Sequence, residues 1–500
     1  MDVYLGWALV WLVLLATWSW WSLRASNGLR LPPGPWGLPI IGSLHHLAGN
    51  LPHRALRDLA QRYGPVMLLR LGEVPTLVLS SPDAAREVMK TQDLAFATRP
   101  LTATMRVLTC NGRDIIFAPY GEYWRQLRKI AVTELLAVRR VQSFRAIREQ
   151  EVASMLRDVE SSAAARRPVE MRARLSAVVS DITFRAVMGD RCKQRSLFLQ
   201  ELDTLVGLTT GLNPVDLWPS RWLVRRLSGT LRRAEENHAV VFGIIRGIIQ
   251  EHLDRDKGCE EEAEDMLDVL LKIHKDGRID MVAVEALIFD LFAAGSETSA
   301  TTLEWAMAEL IKNPTVMKKA TAEVRRAFES VATVVEDRLG ELPYLHLVIR
   351  ETLRLHSPVP LLLPRECRES CKVLGFDVLK GTQVIVNAWA LGRDKQSWPN
   401  ATEEFRPERF GDDAAVDFRG TDFELLPFGA GRRMCPGMAF GLANVELPLA
   451  SLLLHFDWEA PDVTDPAELD MTEAFGVTAR RKANLFLRPS LRVPTPRIGI

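Results

Sequence analysis

Apolar and polar positions change period several times along this chain, and the changes mark out its elements. Val66–Gly72 ("VMLLRLG") and Thr76–Ser81 ("TLVLSS") alternate or run apolar over short spans, as half-buried strands do, and Gly-Glu-Val-Pro between them reads as a hairpin turn. Helical periodicity takes over through 122–160, 228–255, 281–312 and 314–328. These patterns predict a mainly α body, α+β in class, with a small sheet near each end. Within 281–312, Leu287, Leu291, Ala294 and Thr298 fall on one helical face. Gly295 lies inside the same helix, where it costs about 1 kcal/mol, so something should compensate. Residues 190–225, with "GLNPVDLWPSRWLV", leave two readings open: an apolar loop that meets a membrane or caps a pocket, and a buried connection between helices.

The N-terminus carries a different pattern. Val3–Leu23 holds no charge and is long enough to cross a hydrocarbon layer of about 30 Å as a helix. The segment before it has no Lys or Arg and no A-x-A-like site follows, so an uncleaved anchor is favoured over a signal peptide. Asp2 precedes the span while Arg24 and Arg30 follow it, which keeps the body on the cytosolic side. "LPPGPWGLPIIG" (31–42) then reads as a stiff spacer, because its prolines fix φ and lack donors. The expected organisation is an anchor over 1–24, a proline-rich hinge over 25–45 and one folded body over 46–500.

Composition narrows the partners. The chain has 500 residues, 47% apolar and 25% charged, and Lys plus Arg equals Asp plus Glu at 63 each. Nothing in that balance argues for nucleic acid. A reducing cytosol makes a disulfide framework from the six cysteines unlikely to persist, and Cys367 with Cys371 is too weak a pattern for a metal site. No G-x-G-x-x-G opens a βαβ unit, so no flavin or nicotinamide domain is fused.

The chemistry concentrates at Phe428–Gly437, "FGAGRRMCPG". Backbone N–H groups and guanidinium groups favour a thiolate, and Arg432 and Arg433 are expected to supply that field to Cys435. Gly429, Gly431 and Gly437 are expected to give close approach and positive φ. The run after Gly437 has helical period, which sets the sulfur near a helix N-terminus. Phe428, Gly431, Arg433, Cys435 and Gly437 fill every fixed position of Phe-x-x-Gly-x-Arg-x-Cys-x-Gly, and with this signature the chain resembles the cytochrome P-450 monooxygenases. "LPPGP", "FATRP" and the cysteine loop look like the plant microsomal members.

The resemblance implies roles. Cys435 would ligate the iron of haem b (iron protoporphyrin IX), cradled by Phe428, Gly429 and Gly437, with Arg433, Trp124, Arg128 and Arg365 toward the propionates. In "AAGSETS", Ala294 and Gly295 would make room for O2, Thr298 would hydrogen-bond the oxygen being activated, and Glu297 would relay protons, while Ser296 and Ser299 face outward. Glu351 and Arg354, joined by Arg409 of "FRPERF", would form a buried structural triad. Ile115, Leu287, Leu291, Val359, Leu363, Phe475 and Val477 would line an apolar substrate pocket. The body would then be a haem-thiolate monooxygenase domain in the endoplasmic reticulum membrane, fed with NADPH-derived electrons by a separate NADPH-cytochrome reductase. Arg125, Lys129 and Arg432 are candidates to dock that partner or are solvated charges. The implied reaction hydroxylates or epoxidises a small apolar plant metabolite, a terpenoid first, with a phenolic, indole or fatty acid as alternatives. A peroxide-rearranging enzyme of the same fold and a non-catalytic tethered haem protein remain open.

Overall fold

The computed structural model describes residues 28–189, 193–209, 212–255, 264–399, 401–411, 416–474 and 476–496. The expected anchor, the first hinge residues and Phe475 lie outside the described residues.

The helical reading holds, with finer divisions. Helix α1 (Pro52–Tyr63) starts with proline at its first position, where no N–H is required, and leads into strands β1 (Val66–Leu71) and β2 (Val74–Leu79). The predicted 122–160 run is four pieces: α2 (Glu122–Ile130), a π turn over Ala131–Leu135, a short helix Val138–Ser143, and α3 (Arg145–Ala164). Then come α4 (Met171–Met188), α5 (Thr230–Arg255), α6 (Met281–Lys312), α7 (Pro314–Ala327) and α8 (Pro343–Leu355). Strands β3 (Arg365–Glu366) and β4 (Gln383–Val386) precede the last long helix, α9 (Met438–His455). Helix α6 starts on Asp280, whose side chain accepts the Ala283 N–H, and is buried along nearly its whole length between α4 and α9.

The expectation of a small sheet near each end holds, since Phe456–Glu459 pairs antiparallel with Phe486–Leu491 near the C-terminus, but the early sheet is not made of early strands alone. β1 and β2 pair antiparallel, Val66 with Leu79 through Leu71 with Val74, and β2 pairs parallel with β4, so the early hairpin and a late strand share one sheet of order β1-β2-β4-β3. The proline-rich stretch is likewise no free spacer. Leu68 N–H donates to Pro33 O and Ser43 N–H to Arg70 O, laying the stretch along β1. A Cβ on Gly34 would sit 2.0 Å from Leu68 O, which explains the glycine.

In the 190–225 region, the described residues form helices Arg195–Leu208, Pro214–Leu217 and Trp222–Leu227. Its end is not a buried connection: Trp222 is 66% and Leu227 78% exposed. Trp218 Nε1 donates to Ile40 O at 2.9 Å, joining this region to the proline-rich stretch.

Candidate active site

The cysteine loop is built around Asp93, a buried carboxylate in the stretch before "FATRP". One Asp93 oxygen accepts Arg365 Nη1 at 2.9 Å, and the other accepts the Arg432 backbone N–H at 3.0 Å and Arg432 Nη1 at 2.9 Å. Gly431 takes φ +68°, and a Cβ there would lie 2.2 Å from Met89 O and 2.7 Å from Asp93 Oδ1. Only glycine fits that contact. Gly429 also has positive φ, but Gly437, expected to share it, does not: at φ −93° it is the cap before α9. Its contribution is close approach and an N–H hydrogen bond to the Cys435 sulfur. Cys435 N–H donates to Phe428 O at 2.9 Å, which closes the loop two residues ahead of the helix N-terminus.

The sulfur is exposed, yet to an interior cavity rather than to bulk water. Burial pushes the thiol up, against the lowering effects of the Gly437 N–H and the Arg128 guanidinium. The expected field of Arg432 and Arg433 is therefore corrected. Arg432 is turned to Asp93, and Arg433 Nε donates to Ala97 O while Nη1 donates to Ile115 O and Ile116 O and Nη2 to Ala118 O. Arg128 is the cation that acts on Cys435.

Above the sulfur, the cavity encloses about 1670 Å³ of empty space, its mouth included. The predicted face of α6 lines it, with Leu287, Leu291, Ala294, Gly295 and Thr298 all present, as are Ile115, Val359 and Leu363. Thr298 Oγ1 donates to Ala294 O at 2.7 Å. The expected compensation for Gly295 is not found in packing: a Cβ there would lie 3.4 Å from the Phe440 ring and 3.8 Å from the Thr183 methyl group, which is ordinary contact. Ser296 and Ser299, expected outward, are buried. Glu297 does not line the cavity; its carboxylate accepts Thr478 Oγ1 and pairs with Arg480 Nε, both at 2.5 Å. One residue of offset turns a helical side chain by about 100°, enough to separate it from Thr298. Val477 is also absent from the cavity lining.

The walls fit a flat, dianionic, metal-bearing group. Arg99, Arg128, Arg365 and Arg433 all line the cavity, and Arg99 keeps a buried Nε without a partner. Burial and, after it, the repulsion of neighbouring arginines hold the Arg99 and Arg433 guanidinium groups below their ordinary values, Arg433 at about 9. Arg365 is paired with Asp93, but Arg99, Arg128 and Arg433 have no carboxylate partner at ion-pair distance among the described residues, and two propionates would supply such partners. Trp124 stands beside them, but its N–H is given to Ile115 O at 3.0 Å and its face to Arg433, 4.2 Å from the ring centre. Sequence reasoning missed Asp93 as the loop's anchor and Arg99 as a lining cation; "FATRP" was the available signal for the second.

Away from the cavity, Arg354 Nε and Nη2 meet the two Glu351 oxygens at 2.7 and 2.8 Å, and Arg409 Nε meets Glu351 Oε1 at 2.9 Å. The Arg354 and Glu351 side chains are both 0% exposed. The expected triad is thus assembled, and it ties α8 to the segment leading to the cysteine loop. Cys367 and Cys371 stand with sulfurs 4.0 Å apart, and burial pushes the Cys367 thiol up to about 12.

The family model for cytochrome P-450 matches residues 32–486. Curated relatives include the desmethyl-deoxy-podophyllotoxin synthase of Sinopodophyllum hexandrum, 48% identical with 92% of each chain covered. The dolabradiene monooxygenase of Zea mays is 48% identical, covering 94% of each chain. The premnaspirodiene oxygenase of Hyoscyamus muticus is 47% identical over 93% of this chain and 94% of that one. Among solved structures, a zebra fish cytochrome P-450 with abiraterone superposes at a TM-score of 0.75, 25% identical, covering 88% of this chain and 99% of that one. By its signature, fold and relatives, the chain belongs to the cytochrome P-450 family, as a monooxygenase of the plant type.

Proposed function

We propose that this enzyme oxidises a small terpenoid within the cavity above Cys435, with Cys435 as the sole protein ligand of haem b. The carrying observation is the arrangement of one sulfur, four arginines and an aliphatic wall around a single hollow. Haem held by a thiolate supplies the electron push that favours O–O cleavage. Burial pushes the Cys435 thiol up, and a bound iron would be the cation that favours its thiolate. The residues of the chain do the remaining work. Gly437 N–H and Arg128 steady the sulfur's charge, Arg99, Arg128, Arg365 and Arg433 receive the propionates, and Phe428 and Gly429 pack the proximal face. Thr298 lines the cavity and carries a hydroxyl proton that is given to Ala294 O at rest and becomes available to the site when that bond opens.

The terpenoid assignment rests on the lining of Ile115, Leu287, Leu291, Val359 and Leu363, which orients a ligand by shape, and on relatives named for premnaspirodiene and dolabradiene. Electrons come from NADPH through a separate reductase, docked at a basic face where Arg125, Lys129 and Arg432 are exposed. Residues 1–24 anchor the protein in the endoplasmic reticulum with the body in the cytosol, and the proline-rich stretch, packed along β1, holds that body close to the bilayer.

The test is the reduced carbon monoxide spectrum together with turnover of a sesquiterpene hydrocarbon panel. Wild type should show the far-red Soret band of thiolate ligation and NADPH-dependent product. Cys435→Ser should lose both. A colourless protein, or consumption of hydroperoxide with no NADPH-dependent product, would overturn the reading.

A further inference from the structure

Residues 114–118 cross the roof of the cavity as a strap with peptide groups held on both sides. From the distal side, Asp290 on α6 accepts the N–H of Ile115 at 2.9 Å and of Ile116 at 3.3 Å, both on Oδ2. From the proximal side, Arg433 donates to the carbonyls of Ile115 and Ile116 at 3.3 and 3.2 Å, and Trp124 adds a second bond to Ile115 O at 3.0 Å. Asp114 turns the strap at its start, accepting the Phe117 N–H at 3.1 and 3.0 Å. Ile115, Ile116 and Asp290 itself all line the cavity. A carboxyl side chain 4% exposed beside the isoleucines and leucines of this wall is expensive to keep. Its hydrogen bonds account for it.

We propose that Asp290 is a positioning residue: by clamping the Ile115 and Ile116 amides to α6, it sets where the strap presents its two isoleucines to the substrate and its carbonyls to Arg433. The inference rests on the haem-thiolate reading of the same cavity. It also explains why a carboxyl is tolerated there. Burial and, after it, the neighbouring Asp114 carboxyl push Asp290 well above the usual carboxylate range, which lowers the cost of holding it in the wall. Asparagine should therefore substitute, since its carbonyl oxygen accepts the same two N–H groups.

The experiment compares full-length wild type, Asp290→Ala and Asp290→Asn. The carbon monoxide band, expected unchanged in all three, tests the haem-thiolate reading separately. Amide exchange of the peptide spanning 112–118 should be faster by about tenfold or more in Asp290→Ala, as loss of a buried hydrogen-bond acceptor implies. The affinity for 4-phenylimidazole, which must fit beneath the strap, should weaken by about tenfold in that variant while that for imidazole changes by less than about twofold. Asp290→Asn should remain close to wild type in both. Wild-type exchange and 4-phenylimidazole binding in Asp290→Ala would overturn the proposal. So would Asp290→Asn exchanging as fast as the alanine variant, and should the alanine protein fail to take up haem, exchange in Asp290→Asn decides alone.

Discussion

At Thr298, one hydroxyl has two uses. Its Oγ1 donates to Ala294 O at 2.7 Å, which satisfies the helix but turns the proton away from the cavity, so serving the site requires that bond to open. No other carboxylate or hydroxyl from the Ala294–Thr298 turn faces the hollow, because Glu297 is held by Arg480 and Thr478 and Ser296 is buried. Thr298→Ala should thus keep its haem and its NADPH consumption while product formation falls by about 10²-fold, the low end of what a positioned proton donor contributes. The lost reducing equivalents should appear as hydrogen peroxide. Thr298→Ser should recover most of the coupling, and parallel assays of NADPH, product and peroxide check the balance. Glu297→Gln, by contrast, should leave coupling within about twofold of wild type, since its carboxylate serves a surface pair.

At the scale of elements, α8 carries a fully buried acid and α9 a half-buried one, with opposite fates. Glu351 of α8 is surrounded by donors from Arg354, Arg409 and the Arg406 backbone N–H. Glu351→Gln leaves two guanidinium groups facing a neutral amide and should cost about 3–5 kcal/mol in urea unfolding. Glu446 of α9 has no such partner. Burial and the Glu336 charge raise it from its ordinary 4.5 to about 7, and His346, 3.8 Å away, is itself pushed down by burial and so does not arrive as a cation. Because the folded value lies above the unfolded one, the stabilisation is complete below pH 4.5 and is lost as pH rises through 7, by up to about 3 kcal/mol. The Tm of wild type should fall relative to Glu446→Gln between pH 5 and 8. Parallel curves would refute it.

Across the whole molecule, what was legible in the sequence is what local spacing carries. The cavity face of α6 follows from a period, whereas the triad and the role of the cysteine loop come from the family resemblance, since a Glu–Arg pair three apart or a cysteine in a glycine-rich turn is by itself an ordinary feature. Contacts between segments far apart in sequence left no such trace: the parallel pairing of β2 with β4, Asp93 beneath the loop, and Asp290 on the strap. The exposed apolar surface falls between these cases. The sequence marked residues 31–42 and 211–224 as apolar but not as neighbours, whereas the structure joins them through the Trp218–Ile40 hydrogen bond and leaves Trp36 62%, Ile40 71%, Trp222 66% and Leu227 78% exposed. A patch of that kind, rooted in the chain just after an apolar span, suits a bilayer surface, where each side chain removed from water contributes about 1.5–3 kcal/mol. With the anchor in place, the patch should fix the tilt of the body so that this side faces lipid. A fluorophore on Leu227→Cys should then be quenched by doxyl-labelled phospholipid when the full chain is placed in vesicles. The same label on Val138→Cys, an apolar position 62% exposed on the short helix that packs against α9, should escape quenching. Equal quenching at the two sites would mean that the patch does not orient the protein, and an unquenched Leu227 label would place the helix Trp222–Leu227 in water.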